Sequence, residues 1–361
     1  MVPPRKRRAK TAIHPRREFI LGIVSNLPAE ITVPGEDALT VLTRHVSLDM
    51  TACNAAILAR MDSPVALIPQ LAAHIVAAGG KRLRPVLTLA SARLCGYAGG
   101  LRHVNLAACV EFIHTATLLH DDVVDESQLR RGLASANAVF GNKASVLVGD
   151  FLFARAFQLM VADGSLDVLR ILSAAAATIA EGEVLQLVTQ NDLTTTEDRY
   201  LDVIKGKTAA LFAAACEVGA VVADRPEPEA VALRNYGMHL GIAFQLVDDA
   251  LDYAADQATL GKTVGDDFRE GKVTLPVLAA YAGSDETGRA FWRRTIEDSE
   301  QTEADLDEAM RLMAETGAIR ITLDRAAAFA GRAKADLAIF PDSDLRSALM
   351  GVADYTVSRV R

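Results

Sequence analysis

The chain has 361 residues, of which 50% are hydrophobic and 23% are charged. This apolar content is enough for a large core and excludes intrinsic disorder over most of the chain. The net charge is −8, but residues 1–17 hold seven Lys or Arg residues and no acidic one, so the remainder carries about −15. Such an acidic body argues against nucleic-acid binding.

The first 37 residues differ in composition from the rest of the chain. Three prolines and clustered positive charges lie within residues 1–17, and residues 1–37 are predicted to be a basic, disordered tail. The apolar stretch 19–24 is too short for a secretory signal peptide. A weak contact of the tail with anionic lipid is the alternative to a purely solvated tail.

The longest run without a charged residue, 63–80, is barely 18 residues long and contains two prolines, so we expect no transmembrane segment. The four cysteines lie far apart and form no C-x-x-C pair; they are Cys53, Cys95, Cys109 and Cys216. We therefore expect reduced, buried thiols and a cytoplasmic protein.

From residue 38 onward, Ala and Leu are abundant and apolar residues recur at spacings of three and four, as in helices. Glycine and proline breaks divide the chain into segments of roughly 12–28 residues, which suits helices rather than strands. Residues 255–272 are predicted to be a loop between helices. Because no repeat or flexible linker interrupts the pattern, we predict one all-α domain over residues 38–361.

Two acidic clusters interrupt strongly apolar helical segments. The segment LLHDDVVDE contains Asp121, Asp122 and Asp125, and the segment FQLVDDALDY contains Asp248, Asp249 and Asp252. In each cluster the first and last aspartates are four residues apart and share one helix face. Carboxylates beside a buried face are unfavourable unless a cation compensates them. The repeated pattern predicts a Mg²⁺ site formed by these aspartates, whereas one cluster alone could be a solvated helix end.

Basic residues close to the clusters predict binding of phosphate oxygens. In GGKRLRP, Lys81 and Arg84 follow a glycine turn at the start of a predicted helix, where backbone N–H groups also favour anions. The other basic residues near the clusters are Arg130, Arg131, Lys207, Lys262 and Lys272.

Three further polar residues share a helix face with the aspartates. On an ideal helical wheel, His114 and Thr117 lie on the stripe of Asp121, and Gln245 lies on the stripe of Asp248. Gly206 predicts a kink in the helix that carries Lys207 and Thr208.

These motifs resemble those of the trans-polyprenyl diphosphate synthases, specifically the long-chain branch. FIHTATLLHDDVVDESQLRRG is similar to the first aspartate-rich motif of that family and FQLVDDALDY to the second; GGKRLRP, KGKT and GKTVGDDFREGKVTLP also match. Two residues separate the Asp pair from the last Asp of the first motif, whereas bacterial short-chain synthases tend to have four. The resemblance covers residues 38–361 and excludes the basic tail.

The resemblance implies an isoprenoid synthase type of helical bundle, usually a homodimer, in which the two motifs face each other across a deep central cavity. It implies Mg²⁺-dependent, repeated head-to-tail condensation of isopentenyl diphosphate with an allylic diphosphate such as farnesyl diphosphate. The residues implied to hold isopentenyl diphosphate are Lys81, Arg84, His114 and Arg131. Those implied for the allylic substrate are Arg130, Lys207, Thr208, Gln245 and Lys262. The implied catalytic set is Asp121, Asp125, Asp248, Lys207 and Gln245.

The resemblance also points to the fifth and fourth positions before the first motif, Ala116 and Thr117, as a floor that limits product length. Both side chains are small, so we expect a product of eight to ten isoprene units, suited to a quinone side chain. The ideal wheel places Ala116 about 140° from Asp121 and therefore favours Thr117. A deeper floor at Phe153, Phe157 or Met160 is the alternative.

Other assignments fit less well. A terpene cyclase would not need the second basic site at GGKRLRP, and a head-to-head synthase matches the two motifs poorly. A shorter-chain, geranylgeranyl-type synthase and a non-catalytic helical partner subunit stay open. We expect any membrane contact to be peripheral and to serve product release.

Overall fold

The computed structural model describes residues 37–77, 79–254 and 264–358. Residues 1–36 and Lys262 lie outside these ranges, so the expectations about the basic tail and about Lys262 stay predictions. The described residues form an all-α bundle with one very short hairpin, which confirms the predicted fold class.

The first half of the bundle runs from residue 38 to residue 189. Its helices are α1 (Ala38–His45), α2 (Ser47–Arg60), α3 (Leu67–Ala77), α4 (Leu83–Leu94), α5 (Arg102–Val124), α6 (Ala136–Phe140), α7 (Asn142–Asp163) and α8 (Leu166–Thr189). The hairpin strands β1 (Leu129–Arg130) and β2 (Leu133–Ala134) lie between α5 and α6.

The second half begins with a helix that continues directly into a π-helical turn. Its elements are α9 (Glu197–Ile204), the π-helical turn Lys205–Ala209, α10 (Ala210–Val222), α11 (Glu227–Ala254), α12 (Asp266–Arg269), α13 (Leu275–Gly283) and α14 (Glu286–Trp292). A second π-helical turn (Arg293–Glu297) is followed by α15 (Asp305–Thr316), α16 (Ala318–Asp336), a 3-10 turn (Leu337–Ile339) and α17 (Asp344–Ser358).

Helices α5 and α10 lie at the centre of the main hydrophobic core. In α5, 14 of 23 residues are buried, and in α10, 11 of 13 are buried. Helices that are apolar on all sides are surrounded by others: α5 packs against α2, α4 and α7, and α10 packs against α4, α8 and α11. All four cysteines are buried and free, as predicted. The two acidic clusters lie near the C-terminal ends of α5 and α11.

The hairpin after α5 separates two neighbouring arginines. Arg131 (φ 55°) and Gly132 (φ 78°) form the turn, and the positive φ at both residues is the pattern of a type I′ hairpin. A positive φ is uncommon for an arginine, so the strand pairing on either side must hold this conformation. Arg130 belongs to β1 and Arg131 to the turn, so neither continues the helix that carries the first acidic cluster.

Helices α7 and α8 have the length and apolar composition to cross a membrane, although only 39% and 28% of their apolar windows are buried within this chain. Both belong to the bundle, because α7 packs on α5 and α8 packs on α10. Their exposed sides carry large apolar residues, including Leu147, Val161 and Val184. The sequence argument rested on charge-free runs and therefore overlooked apolar helices that contain a few charges. Exposed apolar faces of this kind indicate a surface that contacts another apolar surface.

Two glycines allow α8 to approach the first π-helical turn closely. A Cβ on Gly182 would lie 2.5 Å from the backbone nitrogen of Lys207, and a Cβ on Gly206 would lie 2.9 Å from the Cα of Gly182. The kink predicted at Gly206 is thus a π-helical turn, an irregularity that is frequent at functional sites.

We expect Gly182→Ala to destabilise the protein by about 1–3 kcal/mol, the usual effect of overpacking, because backbone atoms would have to move. The matched control is Gly331→Ala in α16, where an added Cβ meets no atom within 4 Å. That variant should be neutral or more stable, since Ala favours a helix over Gly by about 0.5–1 kcal/mol. Thermal unfolding followed by circular dichroism measures both. A Gly182→Ala variant that melts at or above wild type would contradict the close packing.

Candidate active site

A cavity of about 940 Å³ lies among α4, α5, α9, α11, α17 and the hairpin. Charged residues line much of it, although the surrounding helices are apolar. Both acidic clusters contribute to the lining, and so do the basic residues of GGKRLRP and of the first π-helical turn. The cavity therefore brings together parts of the chain that are far apart in sequence.

Asp121 and Asp125 of the first cluster line the cavity, and each lies near a lysine. Lys207 Nζ is 3.9 Å from Asp121 Oδ2, and Lys272 Nζ is 3.1 Å from Asp125 Oδ2. Burial raises the pKa of Asp121 to about 7; Lys207 opposes this rise, and the carboxylates of Glu183 and Asp125 add to it. The cavity thus holds negative charge that the protein compensates only in part.

Asp122 does not line the cavity, and its expected role as a metal ligand stays a prediction. Its side chain is buried, and Oδ1 accepts hydrogen bonds from Nε of Arg130 at 2.9 Å and from Nη2 of the same residue. Asn137 donates to the backbone carbonyl of Asp122 at 3.0 Å. Asp122 therefore anchors the hairpin to the end of α5, and Arg130, expected to bind the allylic substrate, is held by this ion pair.

The second cluster is divided in a similar way. Asp248 and Asp249 line the cavity, whereas Asp252 is fully buried and does not, and its expected role as a metal ligand stays a prediction. Asp252 Oδ2 accepts the backbone N–H of Asp267 at 3.1 Å. Asp252 therefore ties α11 to the start of α12.

Asp249 is held by two neutral donors. Oδ2 accepts the hydroxyl of Tyr200 at 2.5 Å, and Oδ1 accepts the side-chain amide of Gln245 at 2.7 Å. Thr208 in turn donates its hydroxyl to Gln245 Oε1 at 2.7 Å. Burial and the neighbouring carboxylates of Asp267 and Asp248 raise the pKa of Asp249 to about 7, against the effect of these hydrogen bonds.

The residues of GGKRLRP and Arg131 form a basic region on another part of the cavity wall. A Cβ on Gly80 would lie 2.5 Å from Arg131 Nη1, so the glycine leaves room for the guanidinium group. Arg82 forms an ion pair with Glu111 at 2.5 Å, and Arg84 donates to His114 Nε2 at 3.1 Å. The structure thus brings together four of the residues expected to hold isopentenyl diphosphate, namely Lys81, Arg84, His114 and Arg131.

Burial and neighbouring positive charges shift the pKa values of two side chains in this basic region, His114 and Arg84. Burial, together with the positive charge of Arg84 and the other nearby arginines, lowers the pKa of His114 well below its usual value, so the imidazole is neutral. Burial likewise lowers the pKa of Arg84 to about 10, and its guanidinium lies 4.4 Å from the centroid of the Phe212 ring. An anion in this region would be stabilised by several guanidinium groups, of which Arg82 is also paired with Glu111.

The two lysines at the acidic clusters already have carboxylate partners. Lys207 contacts Glu183 at 2.8 Å, and Lys272 contacts Glu270 as well as Asp125. Burial alone would lower the pKa of Lys272, but these neighbours and Asp267 raise it well above its usual value. Lys272 is therefore charged, and both lysines are held at the cavity wall by carboxylates.

The two candidate floor residues differ in position. Thr117 lines the cavity, and its hydroxyl donates to the backbone carbonyl of His114 at 2.8 Å. Ala116 is fully buried in the main core and does not line the cavity. Of the deeper candidates, Met160 is buried, Phe153 packs against the core, and Phe157 is exposed.

The cavity offers Asp121, Asp125 and Asp248 as carboxylate donors, the type that Mg²⁺ prefers. Among the described residues, no three acidic, histidine or cysteine side chains converge on one point as a preformed metal cage. Mg²⁺ commonly takes only one or two carboxylates and fills its shell with water and phosphate oxygens. These side chains therefore fit a metal ion that is shared with a diphosphate.

Sequence reasoning missed several residues at or beside the cavity. Glu111 lies one turn before His114 on α5, a spacing that could have found it. Tyr200 and Glu183 lie in no recognised motif, and their roles depend on helix packing. Tyr355 accepts a hydrogen bond from Lys81 Nζ at 3.0 Å across 274 residues of sequence, and no local signal indicates this contact.

Comparison with known proteins matches residues 65–313 to the family described as polyprenyl synthetase. Octaprenyl diphosphate synthase of Escherichia coli (strain K12) is 50% identical over 314 residues, covering 87% of this chain and 96% of that protein. The solved polyprenyl synthase from Caulobacter crescentus CB15, complexed with calcium and isoprenyl diphosphate, is 54% identical with a TM-score of 0.86, covering 92% of this chain and 99% of that one. A solved decaprenyl diphosphate synthase from Rhodobacter capsulatus is 56% identical with a TM-score of 0.85, covering 89% and 98%.

Fold and sequence together define a trans-prenyltransferase. The chain belongs to the polyprenyl synthetase family, in its long-chain branch, and the resemblance inferred from the motifs is confirmed.

The different surroundings of adjacent aspartates predict different effects of substitution. Asp121→Asn should lower kcat by about 10²–10³, as expected when an electrostatic stabiliser of the reacting charge is lost, with little change in melting temperature. Asp122→Asn should lower the melting temperature, because a buried pair loses one charge, and should lower kcat less than Asp121→Asn. Steady-state kinetics and thermal unfolding of both variants test this. Equal effects on kcat would contradict the division of roles.

Proposed function

We propose that this enzyme adds isopentenyl diphosphate head to tail and repeatedly to an allylic diphosphate, giving an all-trans polyprenyl diphosphate of about eight to ten isoprene units. The observation that carries the proposal is one cavity with two differently charged walls. One wall has the guanidinium groups around His114, and the other has the carboxylates of Asp121, Asp125 and Asp248.

The basic region would hold isopentenyl diphosphate. Lys81 and Arg84 supply charge, and Arg131 reaches the same region from the hairpin turn. The neutral imidazole of His114 accepts from Arg84 at Nε2 and so orients its guanidinium group. The acidic side chain of Glu111 on this wall is paired with Arg82. We therefore propose that this region binds a diphosphate through its basic side chains, without a metal ion.

The allylic diphosphate would lie at the acidic wall with Lys207 and Lys272. Asp121, Asp125 and Asp248 would hold Mg²⁺, which when bound neutralises the departing diphosphate so that the C–O bond can ionise. The solved relative from Caulobacter crescentus contains calcium and isoprenyl diphosphate, which supports a divalent cation and a diphosphate ligand in this family. Arg130 would contact the allylic diphosphate while it keeps its ion pair with Asp122. Lys262 is also proposed to contact this diphosphate, but it lies outside the described residues.

The chain's own groups then stabilise and protect an allylic cation. The hydroxyl of Thr208 and the amide oxygen of Gln245 lie at the cavity and offer partial negative charge without being strong nucleophiles. Apolar side chains, including Leu118 and Phe244, complete the wall and exclude water that would trap the cation. No covalent bond to the protein is needed.

Small residues near Asp121 favour a long product. Thr117 lines the cavity one turn before Asp121 and leaves space where a ring would close it. Relatives of 50% and 56% identity are named octaprenyl and decaprenyl diphosphate synthases, which supports a length between eight and ten units. A quinone side chain is the destination that we propose for such a product.

The exposed apolar surface supports a proposal about assembly. The exposed apolar sides of α7 and α8 would be covered in a homodimer, since a monomer seldom leaves such faces in water. We propose a cytoplasmic homodimer that touches the membrane only peripherally, when its lipid product leaves.

Purified protein incubated with radiolabelled isopentenyl diphosphate and farnesyl diphosphate should form a butanol-extractable product with Mg²⁺, and none with excess EDTA. Chromatography of the dephosphorylated product gives its length. A product of four units would favour the geranylgeranyl-type alternative. No product from any allylic primer, despite intact helical circular dichroism, would favour the non-catalytic partner subunit.

Thr117→Phe should shorten the product, because an aromatic ring one turn from Asp121 would close the cavity. Thr117→Val, which keeps nearly the same volume, is the matched control and should leave the length unchanged. Ala116→Phe should chiefly destabilise the core, since Ala116 is fully buried. Chromatography of the dephosphorylated products distinguishes these outcomes. Wild-type length from Thr117→Phe at a normal rate would place the floor elsewhere, for example at Met160.

A further inference from the structure

Tyr200 is a buried residue of α9 that no recognised motif contains. It lines the cavity, yet only 3% of the residue is exposed. Its hydroxyl donates to Asp249 at 2.5 Å, and Asp249 accepts the amide of Gln245 at 2.7 Å. These contacts link α9 to α11 at the place where the proposed cation forms.

The direction of each hydrogen bond decides how Gln245 is oriented. Oδ1 of Asp249 accepts from the amide nitrogen of Gln245, as an ionised carboxylate requires, so the amide oxygen faces the other way, toward the hydroxyl of Thr208. The hydroxyl of Thr208 can donate or accept and would adapt to either orientation. Asp249 is therefore the partner that sets the amide, and Tyr200 holds the carboxylate that does so.

We infer that Tyr200 is a positioning residue for catalysis: by fixing Asp249, it keeps the amide oxygen of Gln245 turned away from that carboxylate and available to the forming allylic cation. The inference rests on the proposed function. An inverted amide would present N–H groups with partial positive charge to the same cation and would oppose its formation. Tyr200 would thus act on the ionisation step and not on diphosphate binding.

The chain offers a matched control for the loss of one buried tyrosine hydroxyl. Tyr236 is fully buried in α11, the same helix as Gln245, and donates to the backbone carbonyl of Leu349 at 2.8 Å. It does not line the cavity. Tyr236→Phe therefore removes the same atom from a buried hydrogen bond without touching the Gln245 network.

The first measurement compares kcat and both KM values of Tyr200→Phe and Tyr236→Phe under saturating Mg²⁺, together with their melting temperatures. Tyr200→Phe should lower kcat by about tenfold, the effect of one lost hydrogen bond, and leave the KM of both diphosphates within about twofold. Tyr236→Phe should keep the wild-type kcat, even if its melting temperature falls.

The second measurement uses Asp249→Asn alone and combined with Tyr200→Phe. In Asp249→Asn, Tyr200 would donate to the oxygen of the introduced amide and leave its NH₂ facing Gln245, so Gln245 would invert and kcat would fall by about 10²-fold. Without the Tyr200 hydroxyl, the introduced amide can turn its oxygen toward Gln245. The double variant should therefore be more active than Asp249→Asn.

If Asp249 were only a metal ligand, or if Tyr200 only stabilised the fold, removing the Tyr200 hydroxyl would not raise the kcat of Asp249→Asn. The inference is overturned if Tyr200→Phe has the same kcat as Tyr236→Phe, or if the double variant is no more active than Asp249→Asn. A wild-type protein that forms no product from isopentenyl diphosphate and any allylic primer would instead refute the proposed function.

Discussion

The chain places carboxylates inside an apolar helical bundle, and much of its polar structure compensates them. A buried charge without a partner costs several kcal/mol, so each such group needs a donor or a cation. Asp122 has Arg130, Asp125 has Lys272, and Asp249 has two neutral donors. These partners come from the hairpin, the segment after α12, and α9. The clusters are therefore tolerated only when the whole bundle is assembled.

This constraint explains why each cluster begins with two adjacent aspartates. Successive side chains on a helix point about 100° apart, so adjacent aspartates have different neighbours. Asp121 lines the cavity while Asp122 joins α5 to the hairpin, and Asp249 is committed to side chains from α9 and α11. In each pair one aspartate lines the cavity, and its neighbour forms hydrogen bonds that join its helix to another element.

The sequence was sufficient to predict the all-α class, the two acidic clusters and the basic region, because these depend on periodicity and local spacing. The helical wheel also favoured Thr117 over Ala116, which agrees with the cavity lining. The sequence did not indicate the contacts of Asp122 and Asp252, since spacing alone does not show which carboxylates have partners from other elements. The search for charge-free runs did not single out α7 and α8 as long apolar helices, because each contains a few charged residues. The hydrogen bond of Tyr200 depends on how α9 packs on α11. Such contacts are properties of the assembled bundle and leave no local pattern.

The contact between Lys81 and Tyr355 joins α17 to the turn before α4, and α17 also packs on α1. The first and last helices of the described bundle therefore meet beside one ligand region. During synthesis the chain emerges from its N-terminus, so α1 and Lys81 are made long before α17 and lack this partner until α17 has emerged. A shorter translation product without α17 would therefore lack the contact between Lys81 and Tyr355, even if its central helices had already folded.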